Sequence, residues 1–132
     1  MKEIVLNTKM KSQRKVEAFM SAACVESGTV RVLSTPSLIA LMENAALKCL
    51  DKFLDDGETS VGTHISAEHI SATPIGMDIY AIATIVNSNG RQVEFEISAY
   101  DKCGEIGKAA HTRVVVKAQR FEDKANEKLK EM

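Results

Sequence analysis

Between residues 62 and 76 the chain reads GTHISAEHISATPIG, which sets His64, Glu68 and His69 close together ahead of a Pro-x-Gly turn. Upstream, Thr35 opens the segment TPSLIALMENAALKCLDKFL, and Glu43 follows eight positions later. A Thr hydroxyl, a carboxylate and an imidazole are the parts that acyl transfer or hydrolysis needs: an attacking or orienting oxygen, a base and a proton carrier. Gly62, whose backbone can be approached closely, can offer its N–H to a developing oxyanion.

Successive side chains of a strand point to opposite faces, so residues an odd number apart do not share one. On one regular strand His64, Ser66 and Glu68 form a polar face, while His69 joins Thr63, Ile65, Ala67 and Ser71. An imidazole on that more apolar side needs a partner. Glu43 stands about 80° around a helix from Thr35, with Ile39, Ala40, Ala46 and Leu47 as its nearest helical neighbours. A carboxylate there is expected to be poorly solvated, with His69 as a candidate partner. A plainer account stands beside this one. A glutamate on a helix more often sits at a solvated edge, a strand histidine is more often a satisfied structural residue, and Thr35 can serve simply as a helix cap.

Rival chemistries fare worse. The run from His64 to His69 lacks the helical spacing that puts two histidines on one metal, so no metal site is expected. Gly104-Glu-Ile-Gly107 reads as a turn, not a phosphate loop, because no helix follows it. His111 is isolated and reads as a packing or dimer-contact residue. Cys24, Cys49 and Cys103 form no C-x-x-C pair and are expected to be reduced, structural thiols. A formal net charge of −1 gives no electrostatic footprint for nucleic acid or an anionic membrane. The N-terminal MKEIVLNTKMKSQRK lacks the apolar centre of a signal peptide, so a cytoplasmic protein is expected.

These residues need elements to hold them. The 132 residues suit a single domain over 1–132. Residues 14–20 alternate loosely as an opening strand, 21–26 suggest a short helix, and 29–33 a brief strand. From Thr35, with Pro36 in its first turn, a helix runs towards Asp55-Asp56-Gly57. It is apolar nearly all round between Leu38 and Leu47, as befits an enclosed helix. Extended segments follow at 60–71, 77–88, 92–101 and 106–120, separated by turn compositions that include Asn89-Gly90. They predict an antiparallel meander, and the charged tail FEDKANEKLKEM predicts a closing helix. The fold class is α+β, with a strongly curved antiparallel sheet wrapping a long central helix. One sheet covers such a helix incompletely, which points to a second copy of the chain.

The strings STPSLIALMENAA, VGTHISAEHISATPIG and AAHTRVVV resemble, in order and separation, hotdog-fold thioesterases of the fluoroacetyl-CoA thioesterase type, over about residues 13 to 121. The resemblance implies a hotdog fold, a homodimer or tetramer with active sites at the subunit interface, and hydrolysis of an acyl-CoA, with no cofactor beyond the coenzyme A of the substrate. It places the catalytic threonine, glutamate and histidine on Thr35, Glu43 and His69, with Glu43 as nucleophile or base. It places the carbonyl-contacting glycine on Gly62, and gives Arg113 a part in holding the dimer or the coenzyme. The fluoroacetyl-specific enzyme carries aromatic lid residues before its threonine, whereas Val25 to Leu33 holds none here. A short or medium acyl-CoA of ordinary metabolism is therefore the expected substrate. A noncatalytic acyl-CoA-binding module and an enoyl-thioester hydratase or dehydratase are the alternatives on the same scaffold.

Overall fold

The computed structural model describes residues 1–131. Strand β1 (Lys9–Lys15) and a 3₁₀ turn (Ala18–Met20) precede helix α1 (Thr35–Asp51). Strands β2 (Glu58–His69), β3 (Asp78–Asn89), β4 (Gln92–Asp101) and β5 (Gly104–Lys117) follow. Helix α2 (Ala118–Asn126) and a last 3₁₀ turn (Glu127–Glu131) close the chain. The sheet has the order β1-β3-β4-β5-β2, with every neighbouring pair antiparallel.

The core follows from two periodicities. Every second residue of β3 (Ile79, Ala81, Ala83, Ile85) and β4 (Val93, Phe95, Ile97, Ala99) is buried, as a sheet with one covered face requires. Helix α1 lays Leu38, Leu41, Met42, Ala45, Ala46, Cys49 and Leu50 onto that face. Gly107 on β5 lets the helix come close, since a Cβ there would stand 2.9 Å from Leu38 Cδ2 and 2.9 Å from the Glu68 carbonyl oxygen. Register shifts skip Thr63, Val86 and Ile106. Each leaves one extra residue on its strand, and such bulges bend a sheet, here around α1.

Several expectations change. β3–β4–β5 is a meander, but β2 pairs with β5 at the far edge and not with β3. β1 has taken the free side of β3, so residues 70–77 cross from the β2 edge to β3, next to the opposite edge strand, held by Leu33 N–H on the Thr73 carbonyl and by a bridge between Val32 and Pro74. The opening strand lies earlier than 14–20, and 21–26 forms turns in place of a helix. Gly104 to Gly107 begins β5, with only Gly104 at positive φ. In the Asn89-Gly90 hairpin Gly90 alone takes positive φ, while Asn89 stays in β3. Helix α1 is covered on one side only: Thr35, Pro36, Ala40 and Lys48 are exposed on the other. Among the described residues, no helix is long and apolar enough to cross a membrane.

Candidate active site

Ser34, not Thr35, caps α1. Its side chain accepts from the Ser37 N–H, and Pro36 sits in the first turn, where its missing N–H removes no helical bond. Thr35 is thereby left free, as the first helical residue, to turn its hydroxyl elsewhere. Thr35 Oγ1 lies 2.8 Å from Nδ1 of His69, the last residue of β2. The other ring nitrogen, His69 Nε2, is buried without a partner, the one such side-chain nitrogen or oxygen among the described residues. A buried polar atom with nothing to bond is costly and calls for a ligand. Loss of solvent pushes the His69 pKa below its ordinary value, so the resting ring is neutral near pH 7.

A second cluster lies further along α1. Glu43 Oε2 approaches Arg113 Nη1 to 3.6 Å, with the arginine side chain 7% and the glutamate side chain 41% exposed. Gly62 faces the same carboxylate: a Cβ on it would stand 2.8 Å from Glu43 Oε2, 3.0 Å from His111 Cε1 and 3.4 Å from Arg113 Nη1. Only glycine fits here without displacing the others. Arg113 is fixed from below, donating through Nε to Ser60 Oγ at 2.8 Å and through Nη2 to the Ser60 carbonyl at 2.9 Å. Its Nη1 also donates to His111 Nε2 at 3.2 Å, and His111 Nδ1 donates to the His64 carbonyl at 2.7 Å. Burial is the main reason that the pKa values of both Arg113 and His111 are pushed down.

The bulge at Thr63 decides which residues of β2 join these clusters. Gly62 and His69 are seven apart, so a regular strand would put them on opposite faces. With Thr63 as the extra residue, Ser60 and Gly62 share the helix-facing side with Ile65, Ala67 and His69. His64 stays exposed and contributes its carbonyl oxygen.

The sequence-derived residues therefore fall into two groups within one chain: Thr35 with His69, and Glu43 with Gly62 and Arg113. Glu43 and Thr35 are separated by about 12 Å of helical rise, and the partner of Glu43 inside the chain is Arg113, not His69. Nor is the Glu43 side chain poorly solvated in the single chain, because the outer face of α1 is bare. His111 escaped the sequence reading as a member of the site. The usable signal was its spacing: His111 and Arg113 are two apart on one strand and so share a face. Among the described residues, no three His, Cys, Asp or Glu side chains converge to hold a metal ion.

Comparison with known proteins bears on both fold and chemistry. The profile of the fluoroacetyl-CoA-specific thioesterase family matches residues 16–119. The fluoroacetyl-CoA thioesterase of Streptantibioticus cattleyicolor is 34% identical over 97 residues, covering 74% of this chain and 70% of that protein. A crystal structure of a fluoroacetyl-CoA-specific thioesterase point mutant superposes with a TM-score of 0.90 at 25% identity, over 97% of this chain and 99% of the other. A thioesterase-superfamily protein from Thermus thermophilus gives 0.89 at 26% identity, over 99% and 96% of the two chains. The fold is thus the hotdog-like α+β arrangement, its sheet open, as a match to a hot-dog-like protein from Thermanaerovibrio acidaminovorans also shows, with a TM-score of 0.83 at 22% identity over 93% of this chain and 91% of that one. On the extent of the profile match and of the sequence identity, this chain belongs to the fluoroacetyl-CoA-specific thioesterase family.

Proposed function

We propose that the protein hydrolyses an acyl-CoA thioester to the free acid and coenzyme A, with Thr35, Glu43 and His69 as its catalytic residues. The observation that carries this reading is the Thr35–His69 hydrogen bond of 2.8 Å, which orients a neutral ring whose other nitrogen is buried and unpaired. A neutral imidazole of that kind can collect a proton and return it to a departing thiolate, while Thr35 orients the thioester. Glu43 acts as nucleophile or as the base that takes a proton from water. In either case water supplies one oxygen and one proton to the acid, and its second proton leaves on the CoA sulfur. Gly62, at the carboxylate, lends its N–H to the developing oxyanion, and Arg113 acts through Glu43.

Because the two groups stand apart along α1, the complete site is assigned to a homodimer. The outer edge of β2 has no neighbour in the chain, and α1 meets this strand at Glu43 with Gly62 and at Thr35 with His69. Pairing two copies there would bring Glu43 of one towards Thr35 and His69 of the other. The proposed substrate is a short or medium acyl-CoA: Val25 and Val30, 40% and 60% exposed, stand in the segment before Thr35 and offer no aromatic lid. The reading includes no metal and no redox cofactor. It includes a cytoplasmic location, consistent with three free cysteines and an intracellular class of substrate.

The deciding experiment is thiol release across a panel of acyl-CoA chain lengths, fluoroacetyl-CoA included, for wild type and Glu43→Ala. Hydrolysis by wild type and its loss in the variant supports the proposal. Binding without thiol release would show an acyl-CoA-binding module instead, and loss of enoyl absorbance without thiol release would show a hydratase. Light scattering at working concentration checks the dimer, which a monomer with full activity would refute.

A further inference from the structure

We propose that His111 is a positioning residue for Glu43: by accepting a hydrogen bond from Arg113, it keeps the guanidinium beside the carboxylate without letting the two close into a full ion pair. The inference rests on the reading of Glu43 as the nucleophile or base. Its starting point is the protonation state that the two bonds of His111 demand. A carbonyl oxygen only accepts, so the 2.7 Å bond to the His64 carbonyl requires a proton on Nδ1. A guanidinium only donates, so the 3.2 Å contact with Arg113 Nη1 requires a bare lone pair on Nε2. Both hold together only in the neutral Nδ1–H tautomer. The ring is 3% exposed and tilted against Phe95 at a centroid distance of 6.3 Å, so it is fixed from its own sheet.

The consequence lies in the geometry of Arg113. Ser60 takes the protons of Nε and Nη2, and His111 takes one from Nη1, the nitrogen that faces Glu43. The Nη1–Oε2 distance of 3.6 Å is longer than the ~2.7–2.9 Å of a charge-assisted bond. Glu43 thus feels a positive neighbour but keeps its lone pairs for a substrate proton or a carbonyl carbon. Without the acceptor on His111, the planar guanidinium keeps only its Ser60 bonds and can tilt as a whole to bring Nη1 closer to Glu43, and a carboxylate tied into a short arginine pair is a poorer base and nucleophile. Gly62 completes the arrangement, since the carboxylate, the imidazole and the guanidinium all crowd the space a side chain would take.

The test compares two replacements that split the two bonds. His111→Asn keeps a donor near the position of Nδ1 but has no acceptor at the reach of Nε2, whereas His111→Gln carries an oxygen to about that reach. With the acyl-CoA that wild type hydrolyses best, His111→Asn is expected to lose roughly 10- to 100-fold in kcat with KM changed by less than about threefold. His111→Gln is expected to recover most of that loss, although both lose thermal stability. Equal kcat losses in the two variants, an effect on KM alone, or full activity in His111→Asn would overturn the proposal. A second measurement needs no variant and no substrate: side-chain ¹⁵N NMR of wild type is expected to show the neutral Nδ1–H form of His111 at pH 7. The Nε2–H form or an imidazolium would overturn the proposal. Absence of thiol release from every acyl-CoA would instead refute the thioesterase reading, leaving the tautomer to decide whether the bond exists.

Discussion

Thr35 and His69, thirty-four residues apart in sequence, are joined by a hydrogen bond of 2.8 Å between Oγ1 and Nδ1 at the start of α1 and the end of β2. The bond exists because Ser34 takes over the capping of the helix and Thr35 has no other duty there. Removing either partner should therefore affect turnover more than folding. His69→Ala is expected to lower kcat by about 10²–10⁴-fold, the usual range for a lost proton carrier. Thr35→Val, which keeps the shape and loses the hydroxyl, is expected to lose less. Steady-state thiol release checks both, and unchanged kcat in His69→Ala removes the histidine from the mechanism.

The acidity of His69 gives a pH dependence with a definite sign. Burial lowers its pKa below the ordinary 6.5, so the neutral form persists to a lower pH than in an exposed histidine. As pH falls through that lowered value the ring gains a second proton, loses its lone pair and can no longer collect one from the reaction. The acid limb of kcat/KM is thus expected below pH 6.5, with activity lost on the acid side. The pH–rate profile of wild type checks this, and a limb centred well above 7 would exclude His69 as its origin.

Gly62→Ala probes the second cluster. The new methyl group would stand 2.8 Å from Glu43 Oε2, too close to keep, and the flexible end of the glutamate is the group that yields. In the single chain that side chain is 41% exposed and flexible at its end, so it can turn away from Gly62, and in the proposed dimer it does so within the interface. The expected outcome is a kcat lower by about 10²-fold, the effect of displacing a catalytic group by about an ångström, with a lowered melting temperature because the buried His111 ring, 3.0 Å from the new methyl, must also give way. Equal activity in Gly62→Ala would mean that the carboxylate works from another position.

These sites show what one sequence carries and where it stops. The span of α1 was legible from its apolar run and Pro36, and β3 and β4 from alternation that the core reproduces. The cap was misplaced by one residue because Ser34 and Thr35 are chemically equivalent for that task, and only tertiary structure decides which hydroxyl turns inward. Gly62 in VGTHIS marks either a bulge or a close approach of another group, and local pattern does not decide between them, yet the bulge at Thr63 puts Gly62 and His69 on one side of β2. The place of β2 beside β5, and hence the meeting of Gly62 with His111 and Arg113, is a pairing between segments some fifty residues apart. Local pattern does not encode such a pairing.

Gly107→Ala separates packing from chemistry: its backbone pairs with that of His69 across β2 and β5, but a Cβ on it meets none of the catalytic side chains. A Cβ there meets the Glu68 carbonyl oxygen and Leu38 Cδ2, both at 2.9 Å, and Met42 Cε at 3.1 Å. Unlike the glutamate beside Gly62, these neighbours have no open space to yield into: one is backbone of β2, and the others are fully buried side chains of α1. Relief requires α1 to lift from β5, which is overpacking of a filled core and costs about 1–3 kcal/mol. The expected result is a lower midpoint in urea with an unchanged slope, and kcat reduced only as far as Thr35 is carried away from His69. If Gly107→Ala matched wild type in stability, the close seating of the helix on β5, and with it the geometry that brings Thr35 to His69, would have to be redrawn.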